Sequence, residues 1–269
     1  MKRLSSILLF ASFILIGCVK YNTYEIRLDD DERDLNNKNL KEINQIPLKD
    51  TFTFIFAGDA QRYYDEAIPL VENINGDESI DFVIFAGDFT DFGLAQEFQG
   101  MNSIIKGLKV PYLVVIGNHD LIYNGGEVYK QMFGEYDFSF DFHDFKFVFA
   151  NTNGREFGFN GDVPDITWLN QQLDDTANYF GAIVVVHVPA GNDDFDNELE
   201  QDFVDALSFP KKTIMELNGH NHDHATDYPY YGDVHYITSY SLKKRKYLKI
   251  KIWKGDTPDS SHRFNEVIF

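Results

Sequence analysis

The sequence predicts a layered α/β fold built on mostly parallel central strands, and three observations carry that prediction. Short apolar runs recur from Thr51 onward, helical patterns lie between several of them, and each run ends in residues suited to ligand chemistry. The runs are Phe52–Ala57, Phe82–Ala86, Tyr112–Ile116, Ala182–Val186 and Thr213–Leu217. Four of the five are nearly continuous and rich in β-branched or aromatic residues, as strands buried on both faces require. Helical patterns cover Ala67 to Ile74, Leu94 to Leu108 and Ile166 to Leu173. Period-2 patterns at Tyr136 to Phe149 and Tyr247 to Trp253 add antiparallel strands. No internal repeat or second linker is visible, so residues 51–269 read as one domain.

Composition narrows the function. The chain has 269 residues, 43% of them hydrophobic and 16% aromatic, which is ample material for a packed core. Its formal net charge is −19, more negative still once Lys2 and Arg3 are removed. Neutralising a nucleic-acid backbone takes clustered Lys and Arg, so nucleic acid is not an expected partner. One cysteine, Cys18, excludes an intramolecular disulfide framework and a thiolate metal cluster.

Lys2 and Arg3 precede the apolar stretch Ile7 to Ile16, followed by Gly17 and Cys18. A charged start, a short apolar run and a small residue describe a secretory signal over residues 1–17, too short to span a bilayer comfortably. Leu15-Ile16-Gly17-Cys18 resembles a bacterial lipobox, which implies cleavage before Cys18 and its lipidation. The expectation is an extracytoplasmic protein anchored by lipid to a bacterial cell membrane or outer membrane. Residues 18–50, with Asp29-Asp30-Asp31-Glu32 and an Asn/Lys-rich stretch, show no sustained apolar period and read as a flexible, solvated tether.

The strand ends hold the chemistry. The first run is followed by Gly58-Asp59-Ala60-Gln61, the second by Gly87-Asp88-Phe89-Thr90-Asp91, and the third by Gly117-Asn118-His119-Asp120. The fourth leads into His187, and the fifth into Asn218-Gly219-His220-Asn221-His222. In open α/β sheets the functional crevice lies outside the carboxyl ends of the strands. Turn chemistry alone explains Gly, Asp and Asn at one or two such ends, not at all five in order.

This ordered set resembles the calcineurin-like metallophosphoesterase superfamily, whose motifs are Asp-x-His, Gly-Asp-x-x-Asp, Gly-Asn-His-Asp/Glu, an isolated His and Gly-His-x-His. The match runs from about Thr51 to His222, and Trp168-Leu169 fits it too. The resemblance implies a four-layer αββα sandwich with two mixed β-sheets. It also implies two divalent metal ions, one held by Asp59, Gln61, Asp88 and His222, the other by Asp88, Asn118, His187 and His220, with Asp88 bridging. Two such ions activate a water and clamp a phosphoryl group during in-line displacement. Hydrolysis of a phosphomonoester, phosphodiester or pyrophosphate by metal-bound hydroxide is the implied reaction.

Two departures stand out. Gln61 occupies the usual histidine position, a variant similar to the manganese-dependent ADP-ribose/CDP-alcohol pyrophosphatase branch. A hard amide oxygen there tilts the metal preference toward Mn²⁺, while Fe, Zn, Ni and Co also suit the set. Phe92 follows the second motif where protein serine/threonine phosphatases place Arg, which disfavours that activity.

By the same resemblance His119 is not a ligand. It faces the phosphate, stabilises charge and protonates the leaving oxygen, with Asp91 pairing to fix its tautomer. Asp120 is expected to hydrogen-bond a ligand loop, and Arg62 and Arg155 read as surface arginines able to reach a substrate phosphate. His143 is expected to face solvent, His224 and His235 to be surface histidines near the cleft rim, and the acidic loop 193–196 to be solvated, with cation binding as the alternative. The expected substrate is a small or lipid-linked phosphoester. The alternatives are a non-catalytic metal-binding surface lipoprotein and an extracytoplasmic nuclease.

Overall fold

Alternate phenylalanines decide how the layers assemble. The computed structural model of the chain describes residues 25–208, 212–232, 234–255 and 262–269. The expected signal segment and Cys18 lie outside them. In strand β1 (Thr51–Ala57), Phe52, Phe54 and Phe56 point to one side of the sheet, and Ile55 and Ala57 to the other. Both sides are buried, so the run reads as continuously apolar.

The first sheet has the order β11-β10-β1-β2-β3. Strands β2 (Phe82–Phe85) and β3 (Tyr112–Val114) extend β1 in parallel, whereas β10 (Lys246–Trp253) pairs antiparallel with β1, and β11 (His262–Ile268) antiparallel with β10. The second sheet begins with the hairpin β4 (Phe138–Phe142) and β5 (Phe145–Phe149). It continues in parallel through β6 (Gly181–Val185), β7 (Thr213–Asn218) and β9 (His235–Thr238), with β8 (Ala225–Asp227) antiparallel at the edge.

Phe52, Phe54, Phe82 and Ile84 meet Phe140, Phe142, Phe147 and Val185 in a core between the two sheets. Phe54 stacks on Phe82 at 5.3 Å, and Phe147 approaches Phe54 edge-on at 5.7 Å. Each such aromatic pair adds about 1 kcal/mol beyond the area it buries. Helices α2 (Tyr64–Asn75), α3 (Ala95–Ile105) and α4 (Gly125–Met132) cover the outer face of the first sheet with Ala67, Leu70, Phe98, Met101 and Tyr129. Helices α5 (Ile166–Leu173) and α6 (Glu200–Leu207) cover the second sheet with Leu169, Leu173 and Phe203. The result is the four-layer αββα sandwich with two mixed sheets.

The tether expectation needs correction. Helix α1 (Leu35–Ile43) buries Leu35, Asn36, Asn39 and Ile43. Asn36 donates Nδ2 to the Val114 carbonyl and accepts the Val114 N–H on Oδ1, both at 3.0 Å. Asn39 Oδ1 accepts the Tyr112 N–H at 3.1 Å. Two amide side chains thus stand in for a neighbouring strand along the open edge of β3. The apolar period is weak because the buried face mixes the amides Asn36 and Asn39 with Leu35 and Ile43.

His143 is likewise not solvated. His143 and Asp144, with φ of 50° and 68°, form the two-residue turn between β4 and β5, and the His143 ring stacks on Phe142 at 4.0 Å. His235 is buried and bonded to His262 at 3.0 Å, and His224 Nδ1 donates to the Thr238 carbonyl.

Candidate metal centre

The carboxyl ends of β1, β2 and β3 in one sheet and of β6 and β7 in the other open onto a common rim. Two bonds tie the sheets there. Asp59 Oδ1 accepts the His220 N–H at 3.0 Å, and the Ala86 carbonyl accepts His187 Nδ1 at 2.6 Å. The motif glycines are sterically required at this rim. Gly87 has φ +85°, and a Cβ there would lie 2.5 Å from His187 Nδ1; a Cβ on Gly117 would lie 2.0 Å from the Asp88 nitrogen.

The backbone is strained where the expected ligands sit. Asp59, Gln61, Asp88, His220 and His222 all have positive φ, between 42° and 67°. For residues with a Cβ this costs on the order of 1 kcal/mol or more each, and such strain persists where the surrounding structure enforces it. The Gln61 N–H donates to the Asp88 carbonyl at 2.7 Å, and the Gln61 side chain is buried.

Asp59, Asp88 and His187 place one potential ligand atom each within 4.8 Å of one another, and all three are buried. His187 Nε2 lies 3.2 Å from Asp88 Oδ1 and 3.0 Å from Asn118 Oδ1. His220 Nδ1 lies 3.1 Å from that same amide oxygen. Ligand atoms at about 2.1 Å from a shared ion lie roughly 3 Å apart, so this spacing suits one cation. His222 Nε2 lies 3.5 Å from Asp59 Oδ1, and Asp59 Oδ2 is buried with no hydrogen-bond partner among the described residues. A buried carboxylate oxygen facing its neighbours without a donor fits a cation. The structure therefore gathers Asp59, Asp88, Asn118, His187, His220 and His222, with Gln61 buried beside them.

Burial and neighbouring charges set the titration of the centre's side chains. Burial disfavours the charged His187 ring, yet Asp88 and Asp59 raise it to about 10. Burial likewise opposes the Asp88 charge, but His187 and His119 hold that carboxyl at about 2. Burial pushes Asp59 up to about 7, opposed by His187 and reinforced by Asp88. Burial, together with the His187 charge, lowers His220 to about 4, and burial also lowers His222; both shifts favour the unprotonated ring that a metal requires. His187 Nδ1 donates to the Ala86 carbonyl at 2.6 Å and turns Nε2 inward.

His119 sits at the mouth, about one-third exposed, with Nε2 4.0 Å from Asp88 Oδ2. Its pairing differs from expectation. Nδ1 donates to the main-chain carbonyl of Asp91 at 2.7 Å, while the Asp91 carboxylate is 3.6 Å away and paired with Arg62 at 2.6 Å. Arg62 also lies over the exposed Phe92 ring at 5.0 Å. Burial works against a charged His119, but Asp88 and the Asp91 carbonyl raise it.

Asp120 is fully buried and accepts four bonds, from the N–H groups of Phe89, Thr90 and Gly117 and from the Thr90 hydroxyl, at 2.8–3.1 Å. It fastens the Asp88 loop to the Asn118 loop, as expected of it. The acidic loop 193–196 departs from expectation. Asp194 lies 3.3 Å from His220 Nε2, so this part of the loop faces the centre rather than solvent alone.

Residues 52–224 match the family model for calcineurin-like phosphoesterases. The chain belongs to the calcineurin-like phosphoesterase family. It is 29% identical over 119 residues to an Arcobacter nitrofigilis protein named probable glycerophosphodiester phosphodiesterase, a match covering 40% of this chain and 42% of that one. The matched part thus spans less than half of that relative. Among solved structures, a dimetal phosphatase from Danio rerio aligns with a TM-score of 0.59 at 13% identity, covering 79% of this chain and 98% of that one. GAP50 of Plasmodium aligns with a TM-score of 0.62 at 13% identity, covering 82% and 85%. Calcineurin-like phosphoesterases use divalent metals, and Asp59, Asp88 and His187 offer a candidate site for one here.

Proposed function

We propose that the protein is a lipid-anchored, binuclear-metal phosphodiesterase acting outside the cytoplasmic membrane on a small or lipid-linked phosphodiester. The observation that carries the reading is the meeting of Asp88 with ligand candidates from both sheets, beside an Asp59 oxygen that has no donor among the described residues. Asp59, Gln61, Asp88 and His222 would hold one divalent ion, and Asp88, Asn118, His187 and His220 the other, with manganese favoured by the Gln61 amide. When bound, such ions supply Lewis acidity toward phosphoryl oxygens and acidify water.

The chain's own residues do the rest. His119, its Nδ1 proton held by the Asp91 carbonyl, presents Nε2 to the cleft and protonates the leaving oxygen. Arg62, pinned by Asp91 and Phe92 at the mouth, offers a planar fork to an anionic group of the substrate. A net charge of −19 repels long polyanions, and the relative named as a glycerophosphodiester phosphodiesterase supports a small diester. Lipidation of Cys18 would hold the domain at a membrane surface.

The test is a substrate panel on protein lacking residues 1–18: bis-para-nitrophenyl phosphate, para-nitrophenyl phosphate and a nucleoside diphosphate compound, each with manganese and with chelator. The diester should be turned over fastest, and chelator should abolish the reaction. Metal-loaded protein inert toward all three would instead support a binding lipoprotein.

A further inference from the structure

We propose that Asp194, held in place by Arg155, is the positioning residue for His220 and sets the affinity of the second metal. The inference rests on the reading of His220 as a ligand and extends it to a loop that the family's motifs do not include.

An imidazole has two nitrogens, and His220 points them in opposite directions. Nδ1 faces the Asn118 oxygen at 3.1 Å, inside the centre, while Nε2 faces Asp194 Oδ2 at 3.3 Å. A carboxylate only accepts, so Nε2 carries the proton and the Nδ1 lone pair is directed inward. His220 also needs such support, because its backbone is strained at φ 67°.

Asp194 is itself fixed from three sides. Its Oδ1 accepts Arg155 Nη1 at 2.7 Å, its carbonyl accepts the Arg155 N–H at 3.1 Å, and its own N–H donates to Asn192 Oδ1 at 2.9 Å. The loops around Gly154 and Asp196 are pressed together, since a Cβ on Gly154 would lie 2.7 Å from the Asp196 nitrogen. Arg155, Asp194 and His220 therefore form a relay from the surface to the centre. Carboxylates that orient a ligating histidine in this way typically change metal affinity 10–100-fold when removed.

The test is calorimetric titration of chelator-stripped protein with Mn²⁺. The parent should take up two ions. Asp194→Asn should weaken one of them about 10–100-fold and leave the other unchanged, with the apo-protein's melting temperature preserved, and Arg155→Gln should weaken the same ion by a smaller factor. In a His220→Ala background, Asp194→Asn should cause no further loss. Parental affinity at both sites in Asp194→Asn, or an equal loss in the His220→Ala background, would overturn the positioning role while leaving the proposed function intact. A parent that fails to bind two ions would overturn both.

Discussion

His119 is oriented by the backbone of Asp91, not by its carboxylate: Nδ1 donates to the Asp91 carbonyl at 2.7 Å, while the side-chain oxygen lies 3.6 Å away. A carbonyl cannot take the proton, so it fixes the tautomer without competing for it. The carboxylate is left to anchor Arg62.

The two residues therefore separate under mutation. His119→Ala should lower kcat by about 10²–10⁴ with both metals retained, whereas Asp91→Asn, which keeps the carbonyl, should cost less than about tenfold in kcat. Steady-state kinetics with metal analysis decides this. Loss of metal in His119→Ala would make it a ligand.

Arg62 is held by Asp91 at 2.6 Å and by the Phe92 ring at 5.0 Å. If it meets an anionic substrate group before and during the reaction alike, Arg62→Ala should raise KM roughly tenfold with kcat little changed. Asp91→Ala, which frees the guanidinium, should move KM in the same direction.

The edge of β3 offers a stability test. Asn36→Ala leaves the Val114 N–H without its partner, while the Val114 carbonyl still accepts the Tyr129 hydroxyl. An orphaned buried donor costs about 1–3 kcal/mol, which corresponds to roughly 3–10 °C in Tm for a domain of this size. The exposed Asn37→Ala should leave Tm unchanged, and thermal melts of the two variants check the difference.

Much of this fold was legible because its core strands are apolar on both faces and the candidate ligand residues follow them directly. The Phe52–Ala57 and Phe82–Ala86 runs gave strands β1 and β2, and the alternation from Tyr136 to Phe149 gave the β4–β5 hairpin. Helix α1 was illegible because Asn36 and Asn39 bind strand edges through amides, which a search for apolar periods reads as solvated. Helix α4 opens on Gly125-Gly126, a poor helix signal, and is held by Val128, Tyr129 and Met132 only after the chain has folded. Asp194 was missed because its partner His220 is brought to it by tertiary structure alone.

Glu216 predicts a pH-dependent stability separate from the candidate metal centre. It is fully buried on β7, with one oxygen bonded to Asn218 at 2.7 Å and the other without a partner among the described residues, and burial raises it from 4.5 to about 8. Between those values the folded state holds a proton that the unfolded chain has lost, so stability is full below 4.5 and falls as pH rises through 8, by an amount on the order of several kcal/mol. Denaturant titrations at pH 5 and pH 8 should show this decline, and Glu216→Gln should flatten it. An unchanged slope in the variant would assign the dependence to other groups.

The most direct test of the metal centre is anomalous diffraction from crystals soaked in manganese. Two peaks about 3.5–4 Å apart, with Asp88 between them and His187 and Asp59 on opposite sides, are the predicted result. A single peak, or peaks that leave Asp88 uncoordinated, would contradict the binuclear account.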